Sequence, residues 1–246
     1  MLNRVARGAC ALLVTGLIGC GQHGSGNPTS AQIESAGVAA LQGRQATALR
    51  QLTEWARDGL PVAQRELGLV YASSLSTQSQ AAHWLEQAAR SGDGAAQREL
   101  AQAFYGGKLG LPVDHGKAWQ WFETVARRGD GKASFMLARM AKYGQGVKPD
   151  LALSVHWLQE ASLRGNAQAM FLLSNAYASG EGVAQDARRA RYWLERSAAG
   201  DYPVAIHALA LELEGQAGSD PTAATEARHL IKEAMDERRM RWNRYQ

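Results

Sequence analysis

Three aspartates, Asp114, Asp150 and Asp186, stand 36 residues apart. Gathered at one point, such carboxylates would serve general acid–base chemistry or hold a divalent cation. Their context argues for another role. Each comes seven residues before a tryptophan (Trp121, Trp157, Trp193) and opens an apolar-periodic segment. There a carboxylate accepts hydrogen bonds from the orphan N–H groups of a helix's first turn. Repeat geometry separates equivalent positions by about 10 Å per packed layer, which makes a row along one edge and not a cluster. The histidines show no ligand spacing: His83 and His156 each precede a tryptophan in equivalent outward positions, and no His-x3-His, Cys-x2-Cys or His-Glu-x2-His occurs. Gly144-x-Gly146-Val147 and Gly180-x-Gly182-Val183 lack the preceding strand and third glycine of a dinucleotide loop. No serine sits in a Gly-x-Ser-x-Gly elbow. The sequence predicts no catalytic residue, no metal ligand and no cofactor.

The elements that carry these residues repeat. Leu67, Leu100, Leu137, Leu173 and Leu209 are spaced 33, 37, 36 and 36 residues apart; Trp84, Trp121, Trp157 and Trp193 are spaced 37, 36 and 36; Gly59, Gly92, Gly129, Gly165 and Gly200 drift with them. A fixed period of this size marks a solenoid, whose units bury their apolar faces only against one another. Each unit reads as two helices. The first carries Ala-x3-Leu and a tyrosine at helical spacing and ends on a glycine such as Gly144 or Gly180. The second opens at its aspartate, with Thr77 in the matching place before Trp84, and flanks its tryptophan with small residues: Ala81 and Ala88, Ser154 and Ala161, Ala190 and Ser197. Small side chains allow close helix approach while the tryptophan fills the space between layers. A degenerate fifth unit has Leu230 in place of the tryptophan, between Ala227 and Ala234. Residues 36–58, with Leu49, Leu52 and Trp55, read as a further helix or half unit covering the N-terminal end.

This pattern resembles the Sel-one-like repeats, relatives of the tetratricopeptide repeats, over about residues 60–235. The resemblance implies an all-α fold: a right-handed α-solenoid of about five antiparallel helix pairs that acts as a binding scaffold. In such units the positions two and five residues to either side of the key leucine face the concave groove. Here they include the basic Arg65, Arg98, Lys132, Arg139 and Lys142, the aromatic Tyr105, Phe135 and Phe171, and the polar Gln102, Asn175 and His207, with one acid, Glu214. That imbalance suggests a groove for an extended acidic partner, peptide or polyanion, held by Arg65, Arg98, Arg139 and Lys142 with aromatic anchors. The alternative is a merely solvated surface.

The front of the chain has its own signature. Residues 1–19 hold Arg4, Arg7 and an apolar run too short to span a bilayer, and the junction that follows reads Leu17-Ile18-Gly19-Cys20. This resembles the bacterial lipobox and implies a lipoprotein signal peptide, with acylation, including palmitate, at Cys20; an ordinary signal with an incidental cysteine is the alternative. Two or three chains give a stable anchor. Gly21, in place of aspartate, implies sorting to the outer membrane, with the domain facing the periplasm. Residues 20–35 read as a flexible tether. Of the two cysteines, Cys10 leaves with the signal and Cys20 is blocked, so no disulfide is expected. The formal charge of +4 falls to about +2 without the signal, too balanced to name a partner. The tail, 236–246, interleaves arginines with Trp242 and Tyr245, which suits anionic headgroups, a partner, or packing on the last repeat. The domain plan is therefore 1–19 signal, 20–35 tether, 36–235 solenoid and 236–246 tail.

The function expected is a membrane-anchored periplasmic adaptor for protein partners in the cell envelope, with an acidic polysaccharide as a further candidate and no nucleic acid. By resemblance, an exopolysaccharide export system is one setting. A cell-wall enzyme or β-lactam-binding protein, and a surface-exposed virulence or interaction factor, are the rival readings.

Overall fold

The computed structural model describes residues 27–42 and 46–216, with isolated helical positions at Thr222, Thr225, His229 and Lys232. Its helices run α1 Ser30–Leu41, α2 Ala46–Arg57, α3 Pro61–Ala72, α4 Gln78–Arg90, α5 Gly94–Gly106, α6 His115–Ala126, α7 Gly131–Tyr143, α8 Leu151–Leu163, α9 Ala167–Ser179, α10 Ala187–Ala199 and α11 Pro203–Gln216. No strand occurs among the described residues. Each helix packs on its neighbours in sequence, and the closest contacts join the two helices of a unit, α3 with α4 through α9 with α10. This is the all-α solenoid of helix hairpins.

Local chemistry sets the helix ends. The carboxylates of Asp114, Asp150 and Asp186 accept from the N–H groups of Lys117, Leu153 and Arg189 at 2.9, 2.9 and 3.0 Å. Asp93, Asp130 and Asn166 cap α5, α7 and α9 in the same way. Each such cap is worth about 1 kcal/mol. Gly107, Gly144 and Gly180 close the first helices in the left-handed conformation. Thr77 departs from the pattern. Its hydroxyl donates to the Tyr71 carbonyl at 2.6 Å and does not cap α4. A three-residue 3-10 turn, Leu75–Thr77, replaces the glycine link there and swings the threonine back onto α3.

In each second helix the residue after the tryptophan is a large buried side chain. Leu85, Phe122, Leu158 and Leu194 are buried, as is Trp157, whereas Trp84, Trp121 and Trp193 are only half-buried. An indole is large and seldom fully enclosed, and of these four only Trp157 is buried. The smaller neighbour, about 100° further round the helix, takes the interior place.

The N-terminal end is also more regular than a tether and half unit. α1 begins at Ser30, inside the segment 20–35, because Thr29 and Gln32 form a reciprocal capping box. Ile33 then buries against Leu52 and Leu67, so α1 and α2 make a complete hairpin below α3. Cys20, the signal, the second helix of the fifth unit (Ala227, Leu230, Ala234) and the tail 236–246 lie outside the described residues.

Between units the backbone itself makes contact. Gly146 and Gly182, the second glycines of their links, have φ of +80° and +75°. A β-carbon at Gly146 would collide with the His115 carbonyl, and one at Gly182 with the Leu151 carbonyl. Those carbonyls belong to the first residues of α6 and α8, so each link sits on the opening turn of the preceding unit's second helix. Gly182→Ala therefore suffers both strain and collision and should lose about 2 kcal/mol or more in urea unfolding. Gly165→Ala, with φ +80° but open space around it, should lose only about 1 kcal/mol. Equal losses would show that the close approach contributes nothing.

Candidate partner-binding groove

The predicted groove residues fall into two groups, and the division follows the seams between units. Arg65 is mostly buried, with 14 % of its side chain exposed. Its guanidinium donates to Glu34 at 2.8 Å, Glu66 at 2.8 Å and Asp93 at 3.1 Å. Burial works against its charge, and these carboxylates outweigh burial, so the pKa is raised. Arg98 donates to Asp130. In both cases an arginine two residues before the key leucine of one unit grips the aspartate that caps the next unit's first helix.

The same position is filled differently further along. At the third seam Phe135 is buried, and the cap is Asn166, whose amide donates to the Gly131 carbonyl at 3.5 Å. At the fourth, Phe171 packs on Tyr202, with ring centroids 5.6 Å apart. A second tier of contacts joins the position five residues after the key leucine to the middle of the following link. The Tyr105 hydroxyl donates to Gln145 at 2.9 Å, and the Lys142 ammonium meets Glu181 at 2.8 Å.

The groove therefore carries fewer free cations than the sequence count suggested. Arg65, Arg98 and Lys142 are engaged within the solenoid, and Tyr105 and Phe171 are seam contacts. Arg139 is exposed and has no ion-pair partner among the described residues. Gln102, Asn175 and His207 are exposed polar side chains. The structure brings Phe135, Arg139, Lys142 and Asn175 together at one cleft between α7 and α9, floored by α8, with a volume of about 280 Å³. Gln102, Tyr105 and His207 are not part of it. Asn175 also borders a second hollow, of about 560 Å³, over Phe171, Ser174 and Leu194, where Arg191 and Glu212 pair at 2.7 Å.

Several lining residues escaped the sequence reading. Val155 and Leu158 reach the cleft from α8, a helix that supplied no counted groove position, and Leu172 and Tyr143 fall one step beside the counted positions. Tyr143 is 65 % and Leu151 42 % exposed at its mouth. Two large apolar residues flanking a link were the available signal. Among the described residues no three His, Cys, Asp or Glu side chains gather as a metal-ligating group.

Comparison with known proteins places this geometry. A family model described as the Sel1 repeat matches four consecutive segments, residues 61–93, 94–130, 131–166 and 167–202. These segments coincide with the four hairpins from α3 to α10. A Sel1 repeat protein from Oxalobacter formigenes is similar over 85 % of this chain and 88 % of its own, with 26 % identity and a TM-score of 0.71. A protective antigen of uropathogenic Escherichia coli displaying an SLR fold is similar over 83 % of this chain, with 26 % identity and a TM-score of 0.73. The chain spans 46 % of that antigen's length. No curated protein sequence matches it.

The Arg98–Asp130 pair has a pH signature. Burial pushes the Asp130 carboxyl up, but the Ala133 N–H and the Arg98 guanidinium outweigh it and hold the pKa below its ordinary value. A depressed folded pKa stabilises above the unfolded carboxylate value near pH 4. That contribution disappears as pH falls through the lowered folded value. Asp130→Asn should thus destabilise the protein at pH 7, and the difference from the parent should shrink below about pH 4 in urea titrations at each pH. A difference independent of pH would assign Asp130 no ionic role.

Proposed function

Because the chain belongs to the Sel1 repeat family, whose members are generally protein-interaction scaffolds, we propose that it is an adaptor that receives a protein partner in the groove over α7, α8 and α9. The observation that carries this reading is the cleft between α7 and α9. Its walls are apolar, its rim holds exposed amides, and Arg139 stands there as a cation that none of the described residues neutralises. Around it the seams are closed by their own pairs, so this part of the groove is where a further molecule gains contacts that the solenoid does not already supply.

The location is the second part of the proposal. The charged start, the short apolar run and the ending Leu17-Ile18-Gly19-Cys20 support a lipid anchor in the bacterial envelope, on the outer membrane and facing the periplasm. No described helix is long and apolar enough to cross a membrane. An envelope assembly, exopolysaccharide export among them, is the setting in which an anchored adaptor of this kind works. The likeness to a protective antigen favours a second reading, exposure on the cell surface. Protease shaving of intact cells separates the two: a protected solenoid supports the periplasmic reading, and a cleaved one the surface reading.

Two outcomes follow. Photo-crosslinking residues placed at Arg139 and Asn175 should each yield a discrete protein adduct in cells, while His156 and Leu163, exposed on α8, should yield none. Equal adducts at both sets, or none at the groove, would remove the groove from the function. Cys20→Ser should abolish palmitate labelling and move the protein from the membrane to the soluble fraction; labelling that persists would sink the anchor.

A further inference from the structure

We infer that the occupant of the cleft between α7 and α9 is an extended peptide segment that sets one apolar side chain beside a single carboxylate, and that an acidic run does not fit. This rests on the adaptor reading and adds the partner's chemistry to it.

The charge inventory decides against a polyanion. Arg139, Lys142 and Glu181 are the charged residues lining the cleft. Lys142 and Glu181 lie 2.8 Å apart and cancel, which leaves one uncompensated positive charge, on Arg139. Towards the N-terminal end the next groove cations lie outside the cleft: Lys132 is exposed at the start of α7, and Arg98 is matched by Asp130. A second or third carboxylate inside the cleft would therefore meet Glu181 or a cation whose charge is spent. Like-charge juxtaposition of that sort costs several kcal/mol, whereas one carboxylate can take a bidentate bond from the Arg139 guanidinium.

The apolar part is equally specific. Phe135, Val155, Leu158 and Leu172 line the cavity. Its volume of about 280 Å³ falls just below the ~300–1,000 Å³ of sites that enclose drug-sized ligands. That space suits one side chain of leucine or phenylalanine size together with its backbone. Arg139 follows Phe135 by four residues, so it stands one helical turn from the apolar well. The carboxylate is thereby placed within two residues of the apolar anchor.

The amides supply the third part. Gln168 and Asn175 are exposed on one face of α9. Seven residues of helix separate them by about 10.5 Å, the length of about three residues of extended chain. An amide side chain offers both a donor and an acceptor to a peptide backbone, so this pair can track an extended segment whatever its sequence. Tyr143 and Leu151, exposed at the mouth, are covered by such a segment and dry the ion pair.

A library of random heptapeptides displayed on phage, selected on the full chain in detergent micelles, tests this. The expected consensus holds one Asp, Glu or terminal carboxylate within two residues of Leu, Ile, Met or Phe. A synthetic peptide of that consensus should bind at least ten-fold more weakly to Arg139→Ala, and selection on Arg139→Glu should exchange the acid for Lys or Arg. Circular dichroism verifies that both variants fold; the exposed Gln102→Ala serves as a folded control that keeps binding. A consensus without an acid, one with consecutive acids, no enrichment, or an affinity indifferent to Arg139 overturns the inference. Groove crosslinks that persist beside an acid-free consensus leave the adaptor reading intact and reject this one alone.

Discussion

The contact of the glycine links in the third and fourth units with the opening turns of α6 and α8 governs this structure. Helices of 12 to 14 residues are marginal alone in water, so every hairpin depends on its neighbours. Gly146 and Gly182 let the chain lie backbone against backbone on His115 and Leu151, where any side chain would hold the units apart. With that spacing fixed, the caps, the buried leucines and the side-chain pairs across each seam fall into reach. The mouth of the cleft between α7 and α9 is set by the same approach, since Glu181 belongs to the link and Leu151 to the helix it rests on.

The groove is consequently uneven along its length. Towards the N-terminal end, arginines bridge from one unit to the next and close the seams with ions. Arg65 goes further and ties α1, through Glu34, to the cap of α5, so the first hairpin is locked to the second unit as well as the first. Towards the C-terminal end, aromatic residues take the bridging position and leave apolar hollows on either side of α9. A scaffold built this way separates its tasks: the charged half holds the stack together, and the apolar half is available for recognition.

The fold was legible because the residues that define it repeat in isolation from context. Asp114, Asp150 and Asp186 each cap a helix as their distance from a tryptophan implies, and the closing glycines sit where the left-handed turns are. The groove was only half legible. Counting positions from Leu67 and Leu100 identifies which way Arg65 and Arg98 face, but says nothing of what stands opposite, and their partners Asp93 and Asp130 lie 28 and 32 residues away. The hint was present: arginine at that position accompanies aspartate at the next cap, and phenylalanine accompanies asparagine or tyrosine. α1 was misread for a related reason. Residues 20–35 read as a tether from composition, yet Thr29 already caps α1, and a β-carbon at Gly37 further along it would press on the Glu66 carboxylate.

Matched seams also restrict how such a chain can be rearranged by recombination. Excising the hairpin of α5 and α6 would bring Arg65 against the Asp130 cap, and the new junction keeps its complementary charges. Excising that of α7 and α8 would instead set Arg98 beside the neutral Asn166 and leave a half-buried guanidinium without its carboxylate. Unequal crossing-over in the gene can therefore lengthen or shorten the array near its N-terminal end with little harm, while the order of units around α9 is held in place.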